Sequence, residues 1–160
     1  MRRLNRAAGL AGAAALAALA VAGCSSARTG SSSSSIAATA AYIQLPTGKT
    51  TVGYLDIRNN GTADQLIAVS TSVGGAVEFR APVRAGASPV IMHTVADIPI
   101  PANSMTRLIP DSYHLLITGG GPMHDGKDIT LRLTFAHAGT ITILALVTNP
   151  ESGGASYFLN

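Results

Sequence analysis

From Ile129 to Phe135 the chain alternates without a break. Ile129, Leu131, Leu133 and Phe135 fall on one side, and Thr130, Arg132 and Thr134 on the other. Successive side chains of an extended strand point to opposite faces, so this pattern buries one face and wets the other. No window of 11 or more residues carries an apolar stripe at the 3.6-residue spacing of a helix, whereas period-2 alternation recurs along the chain. A sequence patterned in this way is confined to sheet.

The breaks between alternating runs are turn signals. His137-Ala138-Gly139-Thr140 interrupts the alternation before Ile141-Thr142-Ile143 resumes it, which predicts a hairpin over 128–148. Thr51–Arg58 and Gln65–Ser70 flank Asn59-Asn60-Gly61-Thr62, and an Asn-Gly pair is the strongest short hairpin signal. Further strands are expected at 38–45, 76–82, 89–95, 104–109 and 113–118. Turns are expected at Gly74-Gly75, from Pro99 to Asn103 and from Gly119 to Pro122. Seven to nine short antiparallel strands of this kind make an all-β sandwich or barrel. The supply of Thr, Val and Ile, against two Lys and two Glu, agrees.

The N-terminus reads differently. Met1 to Arg6 holds three arginines and no acid, and the 16 residues Ala7–Ala22 are apolar throughout. That is the layout of a secretory signal, and the apolar run is shorter than the roughly 20 residues of a membrane span. It ends in Val21-Ala22-Gly23-Cys24, which resembles a lipobox. Residues 1–23 are therefore expected to be removed, and Cys24, the sole cysteine, to carry the lipid that anchors the protein to the outer face of a bacterial cell membrane. Ser25–Ser35 is a polar, low-complexity tether with an r.m.s. reach of roughly 18 Å. Residues 36–160 are one domain. Without the signal, 11 − 3 = 8 basic residues face 8 acids, so the domain has no charge excess for nucleic acid. With Cys24 acylated no thiol remains for a disulfide, and the core alone must hold the fold.

Several stretches of the domain, in order, resemble the periplasmic copper(I) chaperones of the PCuAC type. They are Val52–Gly61, Ala63–Leu66, Val77–Phe79, Ile98-Pro99-Ile100-Pro101-Ala102 and the closing strand pair. The resemblance implies a cupredoxin-like Greek-key β-barrel. It also implies copper(I) as cargo, delivered to an extracytoplasmic metalloprotein such as cytochrome oxidase. Members of that family carry a His, a Met after ten intervening residues and, after twenty-one more, His-x-Met. Here Met92 and His114 keep the 21-residue interval. The other two ligands are absent. Where the family reads Val-Glu-Leu-His this chain has Val77-Glu78-Phe79-Arg80, while strict counting from Met92 puts the slot at Ala81. His-x-Met is replaced by His114-Leu115-Leu116.

Copper(I) is soft, and thioether and imidazole suit it. Met92 and His114 are thus the candidate metal residues, against the plainer readings of a core methionine and a solvated turn histidine. His93 is an additional candidate only if a loop or bulge brings it round to the side of Met92, because neighbours in a regular strand face opposite ways. Met123-His124, in a glycine-rich segment, is a separate candidate pair expected on the order of 20–30 Å from His114. His137 reads as surface. No Gly-x-Ser-x-Gly, His-x-x-x-His or Cys-x-x-Cys occurs, and the Gly119–Gly121 run lacks the lysine and helix of a phosphate loop. The expectation is a non-enzyme: a copper(I) carrier or, since two ligands are missing, a metal-free binding or assembly lipoprotein.

Overall fold

A computed structural model describes residues 35–86 and 88–152. Cys24 and nearly all of the tether lie outside the described residues. Ten strands run in chain order: β1 Ile36–Gln44, β2 Thr50–Asn59, β3 Asp64–Thr71, β4 Ala76–Pro82, β5 Met92–Val95, β6 Ile98–Ile100, β7 Ser104–Leu108, β8 His114–Thr118, β9 Asp128–Phe135 and β10 Gly139–Thr148. The only helix among the described residues is the short 3-10 turn Pro150–Ser152. The strands order as β5-β4-β8-β2-β1-β10-β9-β3-β6, with β7 beside the second half of β2. This is an all-β, cupredoxin-like Greek key that curls into a nearly closed barrel.

The inward residues are the ones the alternation selects. Ile129, Leu131, Leu133 and Phe135 of β9 are buried against Leu55, Ile57, Leu66 and Leu115 in one core. Each fully buried Leu or Ile contributes on the order of 1.5–3 kcal/mol, and these side chains replace the absent disulfides. The β9–β10 hairpin forms as expected, in register from Gly139 opposite Phe135 to Leu146 opposite Asp128.

Three local expectations are corrected. The Asn59–Thr62 link does not make a hairpin: β2 pairs with β1, β7 and β8, and β3 with β6 and β9. The Asn59 side chain explains why. Its Nδ2 donates to the carbonyls of Thr62 (2.7 Å), Ile100 (3.3 Å) and Pro101 (3.1 Å), and its Oδ1 accepts from Gly61 N (2.9 Å). The link is thereby pinned across the barrel end. Second, the expected turn at Pro99 is a tenth strand. Pro99 lacks an N–H, yet β6 is an edge strand and pairs with β3 from Asp64–Ile100 to Leu66–Ile98. Third, pairing is not wholly antiparallel, since β1 and β10 lie parallel.

Asp64 ties the same end together. Its carboxylate accepts from the backbone N–H of Gln65 (2.7 Å), His137 (3.0 Å) and Ala138 (2.8 Å), and His137 Nδ1 lies 3.2 Å away. Burial by itself would raise this carboxyl, but those donors together hold it below the usual aspartate value. The His137 ring stays at the surface, as expected, 78% exposed.

Candidate functional site

The candidate ligands meet on the outer face of the β5-β4-β8 ladder. Arg80 stands opposite His114 on one side and Thr94 on the other, and Pro82 stands opposite Met92. Cross-strand partners share a face, and so do residues two apart along a strand. Arg80, Met92, His114 and Leu116 therefore project to the same side, while Phe79, Ala81 and Leu115 point into the core. This decides between the two slots that counting left open. Arg80, not Ala81, lies on the face of Met92 and His114.

Arg80 fills the middle of this face. Its guanidinium donates to Thr94 Oγ1 (2.7 Å) and to the Met92 carbonyl (3.3 Å), and lies 3.7 Å from the Glu78 carboxylate. Thr94 Oγ1 in turn donates to Glu78 Oε2 at 3.1 Å. Met92 and His114 sit on the two strands flanking β4 and two residues apart in level. From strand spacing and rise, their Cα atoms are roughly 12 Å apart with a fixed cation between them.

His114 is half-buried. Its ring lies 6.0 Å from the ring of Tyr54, which in turn lies 5.1 Å from that of Tyr42. Nδ1 is 3.2 Å from the Ser112 carbonyl, an oxygen that can only accept, so Nδ1 carries the proton and Nε2 keeps a lone pair. Burial lowers the imidazole's pKa by more than the hydrogen bond to Ser112 raises it, and the Arg80 cation lowers it further against a smaller opposing effect of Asp111. His114 is thus neutral at pH 7. It is a competent soft-metal donor beside a cation that repels any metal ion.

The remaining candidates lie elsewhere. β4 and β5 pair without a shift from Phe79–Val95 to Pro82–Met92, so His93 stands opposite Ala81 on the face away from Met92. No bulge brings it round. Met123 packs against the core and lines a cleft of about 510 Å³ with Leu45, Ile117 and Pro122 at the other barrel end. His124 is exposed, and its carbonyl accepts from Lys127 N. The segment that carries this pair runs on to β10, where Gly126 N donates to the Val147 carbonyl at 2.9 Å. Among the described residues no cluster of three His, Cys, Asp or Glu could hold a metal. The donor set on the outer face, one thioether and one imidazole split by a guanidinium, does not fit copper(I) as the chain stands.

Comparison with known proteins adds two findings. A family model named LpqE-like, described as a lipoprotein family, matches residues 35–147. Among solved structures, the copper-bound PCuAC domain from PmoF2 superposes with a TM-score of 0.61 at 22% identity, covering 72% of this chain and 94% of that one. The apo PCuAC domain from PmoF1 gives 0.63 at 21% identity, covering 72% and 95%. Apo-DR1885 from Deinococcus radiodurans gives 0.56 at 18% identity, covering 93% and 97%. At these identities the likeness is one of fold. No curated protein matches in sequence.

Proposed function

The chain belongs to the LpqE-like lipoprotein family, and we propose that it is an extracytoplasmic, membrane-anchored binding or assembly module that keeps the copper-chaperone barrel with its copper(I) site closed. One observation carries this reading. The side chain at the centre of the site face is Arg80, locked by Thr94, Glu78 and the Met92 carbonyl. A guanidinium has no lone pair to offer a metal and does not lose its charge at any physiological pH. The role is read as non-enzymatic, in keeping with the copper-chaperone-type domains whose fold the chain shares. Its partner would be an extracytoplasmic metalloprotein such as cytochrome oxidase, to which the copper-chaperone fold points.

A second reading has its own support. Met92 and His114 share a face, and His114 presents Nε2 unprotonated, as a copper(I) carrier requires. An anaerobic copper(I) competition titration of the mature chain separates the two. On the first reading the wild type binds no better than Met92→Leu or His114→Ala. The double substitution Arg80→His with Leu116→Met, which places donors at all four positions of the face, gains at least ~10²-fold, since even outer partners of a metal site change affinity ~10–100-fold. Tight wild-type binding that either single variant abolishes would establish the carrier instead.

A further inference from the structure

The loop joining β4 to β5 is apolar where it should be wet. Val83 is 62% exposed and Ile91 65% exposed, and the two are held together by the bond from Val83 N to the Ile91 carbonyl (2.8 Å). Between Glu78 and Asp97 the sequence holds no acid, and Arg84 sits beside Val83. Two large aliphatic side chains projecting beside a cation suit the boundary between anionic lipid headgroups and acyl chains.

The direction in which this tip points follows from the ladders. β8 pairs antiparallel with both β2 and β4, so β2 and β4 run the same way, and Pro82 ends near the level of Asp56. The tip beyond it reaches the Asn59 end of the barrel. Ile36, the first residue of β1, pairs with Asn59. The chain therefore enters the barrel at the end where the apolar tip protrudes. β2 has ten residues and spans roughly 30 Å, whereas 11 residues behaving as a polar coil would reach roughly 18 Å. A barrel anchored through Cys24 meets the bilayer with this end most readily, since the opposite orientation stretches the tether well beyond its r.m.s. length.

We infer that the β4–β5 tip, through Val83 and Ile91, inserts into the lipid interface and sets the barrel's orientation on the membrane. The surface serves as a second contact besides the acyl anchor. This rests on the lipoprotein reading of Cys24, and the test keeps the two apart. With Cys24 acylated, a cysteine introduced as Arg84→Cys or, at the opposite end, Lys49→Cys is the only free thiol. Each full-length mature chain is labelled with an environment-sensitive fluorophore and reconstituted into vesicles of phosphatidylcholine and phosphatidylglycerol with brominated acyl chains. Insertion shifts the emission at position 84 to the blue and quenches it, while position 49 keeps its emission in water. Adding Val83→Asp and Ile91→Asp, both at exposed sites, abolishes the quenching. Protein that carries the lipid by mass, yet shows water-like emission at both positions, overturns the insertion and leaves the lipoprotein reading intact. So does a probe at 84 that becomes protected only when membrane proteins are added, which assigns the tip to a protein partner. A chain without lipid refutes the anchor reading. With Cys24→Ser then added so that position 84 alone is labelled, the insertion stands if position 84 is still quenched and falls if it is not.

Discussion

Arg80 shows how one side chain can redirect a backbone geometry. The backbone places four positions on one outer face, and the identities at two of them, Arg80 and Leu116, remove half of a soft-metal donor set. The cost of a guanidinium at that spot is met locally by Thr94, Glu78 and the Met92 carbonyl, so nothing in the fold presses for a metal. Asp64 acts in the opposite sense, as a buried charge that holds structure together. Replacing it by Asn keeps the shape but sets an NH2 either against Ala138 N, in place of Oδ2, or against Gln65 N and His137 N, in place of Oδ1. We expect Asp64→Asn to cost about 1–3 kcal/mol at pH 7, read as a lowered urea midpoint. The sign with pH follows from the lowered folded pKa. The carboxylate's contribution is fully present above the unfolded value near ~3.9 and is lost as pH falls through the folded one, so wild type and Asp64→Asn begin to converge only as pH drops below about 3.9 and meet once it is below the folded value. A gap that persists unchanged at pH 3 would show that packing, not charge, is responsible. Neither residue's role was legible in the sequence. Arg80 could be seen to replace a ligand, but only the register shows that it lies between the remaining two. Asp64 stands 73 residues from His137, a separation that no local pattern reports.

Strands were legible wherever one face is buried, because alternation is the direct imprint of that burial. They were misread where the backbone departs from regular pleating. β1 shows the cause. Its register slips between Thr39 and Tyr42, with Ala40 at φ 50°, so the inward set changes from Ile36 and Ala38 to Ala41 and Ile43. A strict period of two would have put Tyr42 with Ala38; the bulge sends it to the outer face beside Tyr54, where the aromatic row leads to His114. The Asn-Gly link misled for a related reason, since Asn59 uses its side chain across the barrel end rather than in a tight turn. The turn before β4 offers a test at this scale. Gly74 and Gly75 both have positive φ, at 72° and 89°, but a Cβ on Gly74 meets open space. One on Gly75 would stand 2.7 Å from Gly120 N and 2.8 Å from the Thr118 carbonyl. Gly74→Ala should cost about 1–2 kcal/mol from the left-handed conformation alone. Gly75→Ala adds a clash with backbone that cannot swing away, and should cost clearly more. Equal chemical-denaturation midpoints for the two variants would mean that the β4 turn yields freely.

At the scale of the molecule, fold and attachment are separate problems. The barrel is held by its own core, whose buried residues run from Ile36 to Val147. Under the proposed lipid anchor, membrane residence would rest on acyl chains, each buried methylene contributing about 0.8 kcal/mol, and stable anchoring needs more than one chain. Two side chains at a hairpin tip bury far fewer carbons than that. Loss of the anchor and loss of the tip should therefore have different consequences. Cys24→Ser should release the chain from the membrane fraction, with no diacylglycerol on the mature N-terminus by mass spectrometry and with the urea midpoint of the barrel unchanged. Val83→Asp with Ile91→Asp should leave the protein in the membrane fraction, carrying its lipid. If Cys24→Ser stays with the membrane through a high-salt wash, the acyl anchor is not what holds the chain there. If instead the Cys24→Ser chain leaves and its barrel is also destabilised, the tether region contributes to the fold and the separation of anchor from domain fails.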